Sequence, residues 1–277
     1  MSRAEVDELM GWAAAEGWAP GLGDADALWR ADPGGFLAAR VGGRMVAGIA
    51  AVHSGPDFAF LGAFICLPEW RGQRIGARLI RWALESCGDR VVGLDGVPEQ
   101  VPFYRRLGFV AVYDEVRYRS GGGALAPRSN VTPDGVRLVP GSDSVRVAAV
   151  AFDAGFFPGD RSAFMAGWLG GPREWWVAVD AHDQVVGLGA IRVAPPVLKV
   201  GPLHARTPQV AAALLAALVG QRPDPVILSV PGANQAALDL FDGLGMTRLG
   251  TDARMYRGPV PALPVEGMFA ICTLELG

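Results

Sequence analysis

A short cationic turn, Arg71–Gly76, carries the residue types with the most distinctive chemistry in this 277-residue chain. Its sequence is RGQRIG, and it lies between an apolar run, FAFLGAFICL, and a segment with helical spacing, IGARLIRWALESC. A glycine-bearing turn that leads into a helix presents unpaired backbone N–H groups, and the helix dipole adds positive potential there. Arg71 and Arg74 add full positive charges. The pattern predicts an anion site, and a diphosphate fits it better than a single carboxylate.

Hydrophobic periodicity predicts the elements that position this turn. FLAARVGGRMVAGIAAV reads as a β-hairpin with its turn at Gly42-Gly43, and FAFLGAFICL reads as a buried strand. The following segment is predicted to be a surface helix, because its apolar residues fall three to four positions apart: Ile75, Leu79, Trp82 and Ala83. RVVGLDGV is predicted to be the next strand. The turn is therefore expected between the end of a buried strand and the start of a helix.

A weak internal repeat divides the chain into two halves. RMVAGIAAV (44–52) resembles QVVGLGAIRV (184–193), and FYRRLGF (103–109) resembles LFDGLGM (240–246), at an offset of about 138 positions. The segment 120–135 between the halves is rich in Gly, Pro and Ser, which is typical of a linker. We therefore expect two tandem α/β (α+β) domains, 1–119 and 136–277, each a twisted mixed sheet flanked by helices.

Composition excludes several functional classes. The net charge is -3 and no Lys/Arg block is present, so a nucleic-acid partner is not expected. No apolar run reaches the roughly 18 residues of a membrane span, and the amino terminus lacks the apolar core of a signal peptide. The scattered Cys and His residues predict neither a disulfide framework nor a metal site. We expect a soluble, reduced, cytoplasmic monomer or homodimer without a metal.

Two motifs in the first half carry a family resemblance. RGQRIGARL resembles the acyl-CoA pyrophosphate loop of the GNAT superfamily of N-acetyltransferases, whose motif reads Gln/Arg-x-x-Gly-x-Gly/Ala. FYRRLGF, some 30 residues later, is similar to the closing FY-x-x-LGF element of that family. The resemblance covers residues of about 10 to 119, and the second half resembles a degenerate copy. Arg74 replaces the inner Gly of the motif, which is tolerable at a helical φ and strained at a positive φ.

The resemblance implies an enzyme that transfers an acetyl group from acetyl-CoA to a primary amine of a small molecule or peptide. The amine would attack the thioester directly, within a ternary complex. The edge of the strand near Phe64, Ile65 and Cys66 would align the pantetheine arm, and the Ile65 amide would polarise the thioester carbonyl. The pyrophosphate would be held by the loop, which comprises Arg71, Gly72, Gln73, Arg74, Ile75, Gly76 and Ala77.

The resemblance also implies groups that move protons. Tyr104, in the FYRRLGF element, would protonate the leaving thiolate. A base must take the proton of the attacking ammonium group, and Asp95 in GLDGV is the first candidate because it lies late on the strand opposite the thioester. Glu16 and Glu99 are further candidates, and a chain of water molecules is an alternative to all three.

The two halves differ at the positions where this chemistry would be carried out. The second half has KVGPLHARTPQVAAALLAAL in place of the loop, with Thr207-Pro208 predicted to cap its own helix. It also has Phe241 opposite Tyr104, and phenylalanine has no proton to donate. Catalysis is therefore assigned to residues 1–119. The second half is expected to be structural or to shape the acceptor pocket.

Two other functions are compatible with the sequence. One is a non-catalytic acyl-CoA sensor, or pseudo-enzyme, whose acceptor side is closed. The other is a scaffold that binds a protein partner and no CoA. The acceptor itself cannot be read from the residues, although a pI of about 5.7 mildly favours a cationic amine over an acidic peptide.

Overall fold

Residues 1–121 and 132–277 are described by the structure, a computed structural model. The greater part of the predicted linker, 122–131, lies outside the described residues. The helices are α1 (Arg3–Ala15), α2 (Asp24–Ala31), α3 (Ile75–Cys87), α4 (Val101–Arg106), α5 (Asp143–Asp153), α6 (Ser162–Gly170), α7 (Pro208–Val219) and α8 (Gln235–Gly243). No helix within the described ranges is long and apolar enough to cross a bilayer.

The strands of both halves join one 12-stranded sheet. They are β1 (Phe36–Val41), β2 (Arg44–His53), β3 (Phe58–Cys66), β4 (Val91–Gly96), β5 (Val110–Arg119), β6 (Arg137–Pro140), β7 (Arg173–Val179), β8 (Val185–Ala194), β9 (Val197–Ala205), β10 (Val226–Pro231), β11 (Thr247–Arg257) and β12 (Met268–Ala270). The predicted mixed α/β architecture and the hairpin β1–β2 are confirmed.

The closing strands of the two halves are exchanged. The sheet order is β1-β2-β3-β4-β11-β5-β10-β9-β8-β7-β6, with β12 paired to β9. Strand β11 of the second half thus lies between β4 and β5, and β5 of the first half pairs with β10. The sequence repeat does not predict this exchange. Its consequence is that side chains of β11 lie beside β4, inside the first half.

Alternating side chains of β2 pack on opposite faces of the sheet. Ala47 and Ile49 pack with α3, whereas Ala50 and Val52 pack with α1 and α2. The buried stripe of α3 is formed by Leu79, Ile80, Ala83, Leu84 and Cys87. The sequence reading of Trp82 as part of this stripe is wrong, since Trp82 is 52% exposed. Because Ile80 and Leu84 belong to the buried stripe, the apolar face of α3 lies on the side away from Trp82.

Strands β3 and β4 separate part of the way along their length, and this separation creates the site. They pair in parallel only from Phe58 to Leu61, and a bulge follows at Ala63, which has a φ of 47°. The carboxy-terminal segment packs against β3 at the point of separation. A Cβ on Gly62 would lie 2.0 Å from the carbonyl oxygen of Glu275, so only glycine allows this approach.

Candidate active site

A cavity of about 470 Å³ lies where β3 and β4 separate, and both halves line it. From the first half it is lined by the segment after α1, by β3 from Leu61 to Cys66, and by Arg71, Asp95 and Tyr104. From the second half it is lined by residues of β9 and β10 and by the carboxy-terminal segment 271–275. The structure therefore brings half of the sequence-predicted site residues to this cavity, namely Glu16, Phe64, Ile65, Cys66, Arg71, Asp95 and Tyr104. Residues 72–77 of the turn and Glu99 do not line it.

The amino terminus of α3 is open. Arg74 precedes the first helical residue, Ile75, and no side chain caps the backbone N–H groups of the first turn. A Cβ on Gly72 would meet nothing within 4 Å, and residues 71–74 are exposed. Gly76 lies against the ring of Phe64, where a Cβ would come within 3.1 Å, and this contact ties the turn to the edge of β3. The turn thus presents free amide donors to solvent.

The amino terminus of α7, at the corresponding place in the second half, is closed by its own side chain. The Thr207 hydroxyl accepts a hydrogen bond from the Val210 amide at 3.3 Å, and Pro208 occupies the first helical position. The predicted cap is confirmed. Because these donors are satisfied internally, the second half lacks the open helix terminus found in the first.

Arg74 adopts the left-handed conformation, with φ 61° and ψ 9°. This is the strained case of the two that the sequence allows, since a Cβ crowds the backbone at positive φ. We expect Arg74→Gly to raise the free energy of unfolding by about 0.5–1 kcal/mol. The reverse change, Gly72→Ala at a φ of 78°, is expected to lower it by a similar amount. Equilibrium urea denaturation of both variants checks this, and equal stability of Arg74→Gly and the wild type would contradict it.

Arg71 joins the end of β3 to the end of α1. Its Nε donates to the carbonyl oxygen of Cys66 at 2.9 Å, and its terminal nitrogen forms an ion pair with Glu16. The pairing leaves Glu16 less suited to act as a base, because removal of its charge would leave Arg71 without its partner. Arg71 remains half exposed, so it can also reach an anion in the turn.

The register of β2 and β3 corrects the role expected for the Ile65 amide. The Leu67 amide donates to the Val46 carbonyl at 3.0 Å, and Ile65 pairs with Gly48 two residues earlier. Since amides alternate along a strand, the Ile65 amide points to β2. The Cys66 backbone faces the opposite edge, where its carbonyl accepts from Arg71. Amide donors toward the cavity are therefore expected from Phe64 and Cys66.

Tyr104 lies on α4 with its side chain at the cavity. Its ring packs between Phe103 and Phe109 and covers Gly96, where a Cβ would come within 2.9 Å of the ring. Burial raises the pKa of Tyr104 to about 12, so the phenol is protonated throughout the physiological range. Phe241, its counterpart in the repeat, is fully buried against Tyr118.

Asp95 is held by an arginine of the other half. The Nε and Nη2 atoms of Arg254 donate to its two carboxylate oxygens at 2.6 and 3.0 Å, and Arg254 also lies 3.2 Å from Glu115. All three side chains are almost fully buried. Burial raises the pKa of Asp95, and the charge of Arg254 opposes that shift. Both carboxylate oxygens nevertheless accept hydrogen bonds from Arg254, so neither is free to take a proton from an amine. Glu99 is exposed in the turn Pro98–Gln100 and does not line the cavity.

Glu115, in the same cluster, is also a carboxyl group whose ionisation is disfavoured. Burial raises its pKa from the ordinary 4.5 to about 8, with Arg254 opposing the shift and Asp95 adding to it. The folded protein therefore keeps a proton on Glu115 that the unfolded chain loses above about pH 4.5. This group contributes stability that is lost as the pH rises toward 8.

We expect Glu115→Gln to be more stable than the wild type at high pH. The difference in unfolding free energy should widen between pH 4.5 and 8, reach on the order of 5 kcal/mol, and stay constant above pH 8. Urea denaturation across this pH range measures it. Asp95→Asn is the control, because it breaks the pair with Arg254 and should destabilise the protein at every pH. A pH-independent difference for Glu115→Gln would contradict the assignment.

Several cavity residues are not identified by sequence reasoning. Asp252 on β11 pairs with Arg117 on β5, and Lys199 and Glu275 come from β9 and the carboxy-terminal segment. No local motif marks any of them, because their meeting depends on the strand exchange. Within the described ranges, no group of three or more His, Cys, Asp and Glu side chains could hold a metal ion.

Comparison with known proteins gives a consistent result for both halves. Residues 4–109 match the sequence model described as "Acetyltransferase (GNAT) family", and residues 149–270 match one described as "Acetyltransferase (GNAT) domain". A curated relative, the holothin acyltransferase of Pseudoalteromonas sp. (strain SANK 73390), is 30% identical over 268 residues, which are 96% of this chain and 89% of the relative.

Solved structures share the fold. A putative acetyltransferase from Pyrococcus horikoshii superposes with a TM-score of 0.80 at 20% identity, covering 100% of this chain and 94% of the other. A tandem GNAT protein from the clavulanic acid biosynthesis pathway superposes with a TM-score of 0.59 at 16% identity, covering 85% and 87%. At these identities the likeness bears on the fold alone.

Proposed function

This chain belongs to the GNAT acetyltransferase family and is an acyltransferase with two domains of that family in tandem, and we propose that it transfers an acetyl group from acetyl-CoA to a primary amine of a small molecule. One observation carries the proposal. In the first half, an uncapped helix terminus and a protonated tyrosine lie at the two sides of the strand separation, whereas the second half has a capped helix and a phenylalanine.

The residues of the first half would bind and orient the donor. The amides at the start of α3, with Arg71, would hold the diphosphate of CoA. CoA supplies the acyl group as a reactive thioester. The amides of Phe64 and Cys66 at the free edge of β3 would orient the pantetheine arm and polarise the thioester carbonyl, a contribution of about 3 kcal/mol to the transition state. Tyr104 would give its proton to the leaving sulfur.

Glu275 is the carboxylate that we assign as proton acceptor. Four carboxylates line the cavity, and three of them form ion pairs: Glu16 with Arg71, Asp95 with Arg254, and Asp252 with Arg117. Among the described residues, Glu275 has no cation within ion-pair distance, and the Thr273 hydroxyl donates to it. Its backbone packs on Gly62, directly beside the strand separation. It replaces Asp95 and Glu16 as the first candidate for the base.

We expect Glu275→Gln to lower kcat about tenfold, because water in the cavity can take part of its role. The loss should be smaller at high pH, where more of the amine is already deprotonated. A pH–rate profile of the variant beside Glu99→Gln, an exposed residue that does not line the cavity, measures this. If Glu275→Gln keeps full activity, Glu275 is not the base, and a chain of water molecules takes the proton of the amine.

The proposal is tested by release of free thiol from acetyl-CoA in the presence of a panel of primary amines. Turnover of at least one amine supports the transferase. Binding of CoA without turnover of any amine would favour the non-catalytic sensor, and no binding of CoA would favour the scaffold. The sensor requires a closed acceptor side, and the cavity of about 470 Å³ argues against it.

A further inference from the structure

Two positive charges face each other at the second-half end of the cavity. Arg192 of β8 pairs directly with Lys199 of β9 in the antiparallel register, and both side chains line the cavity. Like charges in directly opposite positions destabilise a sheet unless an anion compensates them. The mechanism assigned above uses neither residue.

Arg192 is buried with part of its guanidinium unsatisfied. It is 4% exposed, its Nε donates to Asp24 at 3.2 Å, and its Nη1 atom has no hydrogen-bond partner. Arg192 shares Asp24 with Arg173, whose Nη2 atom donates to a carboxylate oxygen of Asp24 at 2.6 Å. A buried N–H without a partner costs free energy, and it is satisfied when a ligand supplies an acceptor.

Lys199 is likewise incompletely paired. Its ammonium group donates to the Trp18 carbonyl at 2.7 Å, which uses one of its three donors. Burial lowers the pKa of Lys199, and the negative charge of Glu275 opposes that shift. No carboxylate lies within ion-pair distance of its nitrogen among the residues that the structure describes. The region has surplus positive charge, because it contains three cationic side chains and two carboxylates. The cations are Arg173, Arg192 and Lys199, and the carboxylates are Asp24 and Glu275.

We propose that Arg192 and Lys199 bind a carboxylate of the acceptor, which is therefore an amine that also carries a carboxylate, as amino acids do. A planar guanidinium and an ammonium group beside it match the two oxygens of a carboxylate. The proposal rests on the proposed function and places the amine near Glu275, whose charge acts on both Lys199 and Asp95. It narrows the sequence-based preference for a cationic amine to amines that also carry a carboxylate.

The two cations belong to the second half, whereas the residues assigned to the donor belong to the first. Arg192 and Lys199 lie on β8 and β9, and α3 and β3 belong to the first half. A carboxylate could also come from the far end of a longer acyl group. The position on the second half favours the acceptor as its source, and the test distinguishes the two.

The experiment compares amines that differ only in the carboxylate, with acetyl-CoA as donor and thiol release as the readout. Suitable pairs are L-phenylalanine with phenethylamine and 4-aminobutanoate with propylamine. We expect kcat/KM to be about 10–100-fold higher for the carboxylate member of at least one pair. Lys199→Met should lower kcat/KM more for the carboxylate member than for its decarboxylated partner and so remove most of this preference, a selectivity that a merely structural role would not produce.

Arg192→Lys is the second variant, because it keeps a charge beside Asp24 and removes the planar fork; it too should reduce the preference. Arg206→Gln, an exposed change outside the cavity, should leave the preference intact. Equal rates for both members of every pair would overturn the carboxylate site while leaving the transferase standing. A Lys199-dependent preference for succinyl-CoA over acetyl-CoA with phenethylamine would overturn the acceptor as the source of the carboxylate.

A binding measurement separates failure of this inference from failure of the transferase. Calorimetry of N-acetyl-L-phenylalanine and of N-phenethylacetamide, each with CoA present, needs no turnover. We expect only the carboxylate-bearing compound to lose about tenfold or more in affinity in Lys199→Met. If no amine is acetylated but this difference in affinity appears, acetyl transfer is contradicted and the carboxylate site at Arg192 and Lys199 is supported. Equal binding of both compounds to the wild type would overturn the site.

Discussion

Replacement of Tyr104 by phenylalanine is expected to lower kcat about 10²–10³-fold, with little change in the KM for acetyl-CoA. The ring packs on Gly96 and between Phe103 and Phe109, and phenylalanine keeps these contacts. Only the hydroxyl that we propose as the proton donor is lost, so the leaving sulfur would depart as a thiolate without assistance. Because the pKa of Tyr104 is about 12, its ionisation should give no alkaline fall in rate below about pH 11.

Tyr118→Phe is the matched control for this variant. Its hydroxyl donates to Asp242 at 3.0 Å, on the second-half core and away from the cavity. We expect it to cost some stability and to leave kcat within about twofold. A Tyr104→Phe enzyme that retains more than half of the wild-type kcat would remove Tyr104 from the chemistry and reduce its role to packing.

Replacement of Ala77 by glutamate, in the first turn of α3, is expected to weaken CoA binding strongly without unfolding the protein. A carboxylate there would interact with the free amides and with the helix dipole, which favours folding by about 0.3–1 kcal/mol. The carboxylate would also occupy the proposed diphosphate site and repel a diphosphate there, so Ala77→Glu should weaken CoA binding about 100-fold or more. Calorimetric titration with CoA and thermal denaturation measure the two effects.

The matched control places the same charge at the other helix start. Gln209 is exposed in the first turn of α7, where Thr207 already caps the helix. Gln209→Glu should change stability slightly and leave CoA affinity unchanged. Loss of CoA binding in both variants would mean that general charge repulsion, and not the α3 terminus, governs affinity. Unchanged binding in Ala77→Glu would place the diphosphate elsewhere.

The sequence predicted the parts of the site that depend on local chain order. The strand, turn and helix around Arg71 were readable because glycines, charges and apolar periodicity lie within one short segment. The contrast between the open start of α3 and the capped start of α7 was readable for the same reason, since Thr207-Pro208 is a local signal. The assignment of Tyr104 came from the resemblance, and the structure places it at the cavity.

The parts that the sequence could not predict depend on contacts between distant strands. Arg254 lies 159 residues from Asp95 and reaches it only because β11 inserts beside β4. The sequence therefore offered Asp95 as a free base, whereas the fold makes it one half of a buried ion pair. The amide direction at Ile65 likewise follows from the register with β2, which no periodicity reveals. The positive φ of Arg74 is set by the geometry of the turn.

The strand exchange also gives the second half a part in forming the cavity. It has lost the open helix terminus and the tyrosine, yet it contributes Lys199, Asp252 and the carboxy-terminal segment to the cavity. A degenerate repeat of this kind can keep a role in acceptor recognition, because the exchanged strands hold it permanently against the first half. The two halves are therefore expected to unfold as one cooperative unit.

We propose that the chain has one diphosphate site, at the start of α3. A calorimetric titration of the intact wild-type protein with CoA gives the stoichiometry of binding and tests this directly. We expect one CoA per chain, with protection from hydrogen exchange in residues 72–80 and none in residues 207–212. Two CoA molecules per chain, or protection confined to residues 207–212, would contradict it.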